Sequence, residues 1–197
     1  KPIIHYVVEE AVASGIDDII IITGRGKRAI EDYFDTSPEL ENSLYGDDRK
    51  DLLKEINDIS SLADIHYIRQ KEPRGLGDAI LKAEKHVGAA PFAILLGDDV
   101  IIGDSPCLSQ LMNVYESYEN VGAVIAVEEV KDVTKYGIIK AKEIGEPVFR
   151  VEDIVEKPSV AEAPSNIGAV GRYILTHEIF SYLKDTPLGK GREIQLT

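Results

Sequence analysis

The run from Phe92 to Ile102, FAILLGDDVII, constrains this chain more than any other stretch. Phe92 to Leu96 is a continuous apolar run after Pro91, too short for a free-standing helix and suited to a parallel strand covered on both faces. Gly97 ends it. Asp98 and Asp99 follow at the carboxyl end, where open α/β sheets place their ligands. Adjacent strand side chains diverge, so one carboxylate can face a site while the other enters its wall. Oxygen ligands of this kind suit Mg²⁺, which takes one or two carboxylates and completes its shell from phosphates and water. Taken alone, the pair is read equally well as an Asp98 cap on the next turn.

The rest of the chain weighs on that choice. Its 197 residues make one domain, 1–197, with a substantial core. A net charge of -13 and the lack of a basic stripe exclude nucleic acid as a partner, although a few placed cations and backbone N–H groups still suffice for a nucleotide. The single Cys107 excludes an internal disulfide framework, and neither a leader nor a membrane-length apolar run is present, so no membrane partner and a cytoplasmic location are expected. His5, His66, His86 and His177 are too scattered for a metal site. The chain opens without Met on a helix start at Lys1-Pro2 and stops at Leu196-Thr197, so both ends read as cut.

Ile3, Val7 and Ala11, beside Val8 and Val12, make the stripe of an amphipathic helix ending at Gly15. Asp18 to Thr23 is a second buried strand. Gly24-Arg25-Gly26-Lys27 behind it lacks the spacing of a phosphate loop and reads as a plain turn. Residues 28–58 are charged and helical, with breaks at Pro38 and Gly46. Asp64 to Arg69 is a weakly alternating strand. It leads into a loop, Gln70 to Asp78, that opens a helix with the stripe Leu76, Ala79, Ile80 and Ala83. Gly75 and Gly77 there either let a ligand approach backbone N–H groups or merely permit the turn, and the second reading is favoured. Gln70 can read a base edge through its amide.

After a helix over Ser105 to Tyr118 and a strand over Val121 to Val127, the texture changes. Tyr136 to Lys140, Val148 to Glu156 and Asn166 to Leu175 are strands with few helices between them. The pattern predicts a mostly parallel sheet flanked by helices, with an antiparallel addition walling one side of a pocket. Glu156 and Lys157 end the second of these strands, where a carboxylate can accept from vicinal hydroxyls and an ammonium can pair with a phosphate.

The segments VVEEAVASGIDDIIIITGR, QKEPRGLGDAILKA, FAILLGDDV, TKYGII, VEKP, AVGRYIL and GREIQLT, in this order, resemble the sugar-1-phosphate nucleotidylyltransferases, and among them those that join UTP to glucose 1-phosphate. The resemblance covers the whole chain and implies a Rossmann-like three-layer α/β/α nucleotidyltransferase fold. It implies Gln70 and Gly75 at the uracil, Asp98 on Mg²⁺, Gly137 and Glu156 at the glucose hydroxyls, Lys157 at the sugar phosphate and Ala169 along the sugar pocket. The catalytic pair is then Asp98 and Lys157. The implied reaction gives UDP-glucose and pyrophosphate. A homo-oligomer, dimer or tetramer, is compatible with it.

Two departures stand out. The family's G-x-G-T-R loop and the Asp that follows GEIQLT lie outside these residues, so the chain as given is expected to be inactive. Asp78 stands where many relatives carry His. The rival readings are a dTTP-dependent or other sugar-1-phosphate enzyme, and a sugar-nucleotide-binding module without turnover.

Overall fold

The computed structural model describes residues 1–44, 49–145 and 147–196. Helix α1 (Ile3–Ala13) buries Val7, Val8 and Ala11 from the predicted stripe and leads to strand β1 (Asp18–Thr23). The charged region is three helices, α2 (Arg28–Phe34), α3 (Pro38–Leu44) and α4 (Lys50–Ser60). Pro38 starts a helix, as suits a residue with fixed φ and no N–H. The break expected at Gly46 lies outside the described residues. Strand β2 (Asp64–Arg69) pairs in parallel with β1 along its whole length, from Asp18 opposite Asp64 to Thr23 opposite Arg69. Helix α5 (Leu76–Val87), strand β3 (Phe92–Leu95), helix α6 (Cys107–Ser117) and strand β4 (Ala123–Glu129) follow. Then come β5 (Gly137–Gly145), β6 (Val148–Glu156), β7 (Ile167–Leu175) and helix α7 (Ile179–Asp185).

Strand β3 differs from its expected role in one respect. Its hydrogen-bonded neighbour among the described strands is β7, and the pairing is antiparallel, with Phe92 opposite Leu175 and Leu95 opposite Arg172. An apolar run records burial of both faces but not the direction of the neighbouring strand. Burial itself is as expected. Ala93 and Leu95 pack against the cluster of Ala11, Leu108, Leu111, Ala126 and Ile174, while Phe92 and Ile94 pack against Ile80, Phe180 and Leu183. Alternate residues of β3 thus enter opposite cores, under α1 and α6 on one side and α5 and α7 on the other. This is a three-layer mixed α/β fold in which, among the described strands, β1 with β2 is the parallel pair and the five-stranded sheet is antiparallel. The antiparallel share is larger than the mostly parallel sheet predicted.

Strand β7 organises the larger sheet. Tyr173 to Leu175 pair with both β3 and β4, which must therefore lie on opposite edges. Gly168 pairs with Glu128 of β4 and with Ile138 of β5, so β5 shares the β3 edge. Strands β3 and β5 accordingly run end to end along one edge of β7. Between the carboxyl end of β3 and the amino end of β5 they leave the short stretch Ala169 to Gly171.

Candidate active site

The turn after β3 is held rigidly from behind. Leu96 extends the ladder by donating its N–H to Gly171 O at 2.9 Å, and Asp99 Oδ2 accepts the Gly171 N–H at 3.1 Å. A Cβ on Gly171 would stand 2.8 Å from Leu96 Cβ, closer than real Cβ contacts come, so this approach requires glycine. Arg172, fully buried, donates through Nη2 to Asp99 O at 2.9 Å and through Nη1 to Gly171 O at 2.9 Å. Its Nε and Nη2 both reach Glu10 Oε2, at 2.9 and 2.8 Å. The other Glu10 oxygen accepts the Leu108 N–H at 3.1 Å, so the buried ion pair is satisfied on both sides.

The two aspartates therefore have different surroundings. Asp99 is half-buried and tied to β7. Asp98 is exposed, and no side-chain hydrogen bond or ion pair of its own is found among the described residues. An exposed carboxylate at a strand end, on a turn clamped by a buried arginine, suits a divalent cation that takes few protein ligands. Among the described residues no group of three or more His, Cys, Asp or Glu side chains could hold a metal. Asp98 is the carboxylate at this turn that could hold such a cation.

Around the amino end of β5 the ladders gather the expected sugar residues. Gly137 is opposite Glu156 in the β5–β6 pairing, and since Ile138 is opposite Gly168, Gly137 faces Ala169 one step along. Lys157 follows Glu156, donates its N–H to Tyr136 O at 2.9 Å and lies 3.4 Å from Glu156 through Nζ. Its φ of +46° is infrequent for a side-chain-bearing residue and sets it apart from the strand it follows. Asp98, Gly137, Glu156, Lys157 and Ala169 are thus mounted around one short stretch of β7.

Gln70 and Gly75 form a second group at the start of α5. Leu76, next to Gly75, packs in the same cluster as Phe92 and Ile94, so this group braces the strand that leads to Asp98. The glycines serve packing here. A Cβ on Gly75, whose φ is +91°, would meet Glu193 Cβ at 2.8 Å, and one on Gly77 would meet Ile194 O at 2.9 Å. The Gly77 N–H donates to Ile194 O at 2.9 Å, and the Ile194 N–H to Arg74 O at 2.8 Å. That favours the turn-permitting reading of Gly77 over a ligand at its N–H.

Two cavities are lined by neither Asp98 nor the expected sugar residues, and the second of them has Arg69, next to Gln70, in its wall. One of about 520 Å³ is lined by Tyr33, Leu40, Leu44 and Leu52, and one of about 430 Å³ by Gly24, Gly26, Arg28, Glu31 and Arg69. Sequence reasoning missed the Glu10–Arg172 pair. A signal was available: an arginine inside the apolar strand IGAVGRYIL implies a buried partner.

The nucleotidyl transferase family profile matches residues 1–195. The UTP–glucose-1-phosphate uridylyltransferase YngB of Bacillus subtilis is 54% identical over 199 residues, covering 100% of this chain and 66% of the relative. The chain therefore spans about two thirds of that relative's length. A solved apo UDP-glucose pyrophosphorylase superimposes with a TM-score of 0.90 at 45% identity, over 100% of this chain and 73% of that one. A UDP-glucose pyrophosphorylase complexed with UDP-glucose gives a TM-score of 0.86 at 44% identity, over 100% and 72%.

Proposed function

The chain belongs to the nucleotidyl transferase family, and on that premise we propose that the protein carrying it forms UDP-glucose and pyrophosphate from UTP and glucose 1-phosphate. The observation that supports the reading is the meeting of β3 and β5 on one edge of β7, which brings the strand ends followed or formed by Asp98, Gly137, Glu156 and Lys157 to the same stretch of the sheet. A phosphate oxygen of glucose 1-phosphate attacks the α-phosphorus of UTP, a P–O bond forms, and the bond to the β-phosphate breaks as pyrophosphate departs. No protein nucleophile is needed, so the protein's part is positioning and charge stabilisation.

In this reading Glu156 accepts hydrogen bonds from glucose hydroxyls and Gly137, lacking a side chain, leaves room for the ring beside it. Ala169 lines the same pocket. Lys157 pairs with the incoming phosphate, which lowers the repulsion between two anionic substrates. Gln70 and Gly75 contact the uracil. Members of the family generally work with a divalent metal, which we assign here as Mg²⁺ held by Asp98. When bound it would neutralise phosphate charge. The location proposed is the cytoplasm.

The direct test is pyrophosphate release by the full-length protein with glucose 1-phosphate and each of UTP, dTTP, ATP, CTP and GTP. Turnover with UTP well above the others supports the reading. A preference for dTTP would move the protein to a sister activity, and tight UDP-glucose binding without turnover would make it a binding module.

A further inference from the structure

Asp78 is 6% exposed, yet both of its carboxylate oxygens have a partner. Oδ2 accepts from Gln70 Nε2 at 2.7 Å, and Oδ1 from Lys82 Nζ at 3.1 Å. Burial alone would raise its pKa, but the hydrogen bonds from Gln70 and Lys82, with the charges of Lys82 and Arg74, outweigh burial and hold it below the ordinary aspartate value. At neutral pH the group is a carboxylate and can only accept.

The Gln70 amide nitrogen donates a second time, to Gly75 O at 3.3 Å. An amide NH₂ has two protons, and both are directed at groups that cannot donate back. Turning the amide over would set its oxygen against a carboxylate and a carbonyl, so chemistry decides which end is which. The carbonyl oxygen is the polar function of Gln70 that these partners leave over.

We propose that Asp78 is a positioning residue for nucleobase choice: it holds the Gln70 amide so that only an acceptor meets the base, which selects a ring N–H donor and refuses a ring nitrogen acceptor. The inference rests on the reading of Gln70 as the base contact. Uracil carries a proton on N3 and satisfies the Gln70 oxygen. Cytosine presents a lone pair at N3 and would face oxygen with no proton between them. Lys82 strengthens the arrangement because an ammonium donates only, which keeps an acceptor on its side of residue 78.

Asp78→Asn exposes the device. With Lys82 still demanding an acceptor, the new amide turns its NH₂ toward Gln70, and only the longer contact to Gly75 O at 3.3 Å is left to keep the Gln70 NH₂ inward against it. The test measures kcat/KM for UTP and CTP in the full-length protein, for the wild type and for Asp78→Asn, Asp78→Ala, Lys82→Ala and Gln70→Ala. The wild type is expected to prefer UTP by about 100-fold or more, as for a site built around one hydrogen bond. Asp78→Asn should move that ratio toward CTP by at least about tenfold, whereas Lys82→Ala, which keeps the carboxylate, should leave it in place. A wild type that uses CTP as well as UTP overturns the proposal. So does an unchanged ratio in Asp78→Asn, or in Asp78→Ala if the first variant does not fold, provided Gln70→Ala compresses it. If Gln70→Ala alters neither the KM for UTP nor the ratio, the base-contact reading itself is wrong and the proposal goes with it.

Discussion

At residue scale, the difference between Asp98 and Asp99 yields a ranked pair of variants. Asp98→Ala should lower kcat/KM by about 10²-fold or more, since it removes charge stabilisation at the transferring phosphoryl group. Asp99→Asn keeps an oxygen that can accept the Gly171 N–H and should retain most activity. The reverse order in a steady-state assay would reassign the site. Glu156→Gln tests the sugar side. Losing a charge-assisted hydrogen bond is worth roughly 1.5 to 3 kcal/mol, so the KM for glucose 1-phosphate should rise by about one to two decades while that for UTP stays nearly constant. Equal rises for both substrates would take Glu156 out of the sugar pocket.

At the scale of elements, α1 and β7 are locked by one buried ion pair, and the turn carrying Asp98 depends on it. Removing one member of such a pair leaves an uncompensated charge and costs about 3 to 5 kcal/mol. Glu10→Ala should lower the urea midpoint accordingly and weaken activity although Glu10 touches no proposed substrate. Arg172 and Glu10 replaced together by apolar residues should recover much of the stability without recovering the turn. A double-mutant cycle read by both denaturation and turnover separates these two contributions. The cycle fails the argument if turnover returns along with stability.

For the whole molecule, pH dependence reports how the α2 region seats on the sheet. Tyr67 on β2 donates to Glu31 O of α2 at 3.4 Å, and burial, aided by the charges of Asp35 and Glu31, pushes its pKa up to about 12 from the ordinary 10.0. The folded state therefore favours the protonated phenol more than the unfolded chain does. Its contribution is full below pH 10 and is lost as pH rises toward 12. Denaturation midpoints measured between pH 8 and 11 should fall less steeply above pH 10 in Tyr67→Phe than in the wild type. Identical slopes would show that the phenol is not linked to folding.

Much of this architecture was legible in the residues. The spans of β1, β2 and β6 and the stripe of α1 agree with the observed elements, because periodicity and turn residues act over a few neighbours. The two-sided burial of β3 was legible for the same reason, whereas the buried partner of Arg172 was missed, although an arginine in an apolar strand signals one. The antiparallel pairing of β3, the tie that occupies Asp99, the hold of Asp78 on Gln70 and the packing use of Gly75 and Gly77 came only with the fold. Local sequence determines which way a side chain is free to turn, but what it meets is set by distant chain: Glu10 and Arg172 are 162 residues apart, and nothing in either neighbourhood encodes the other.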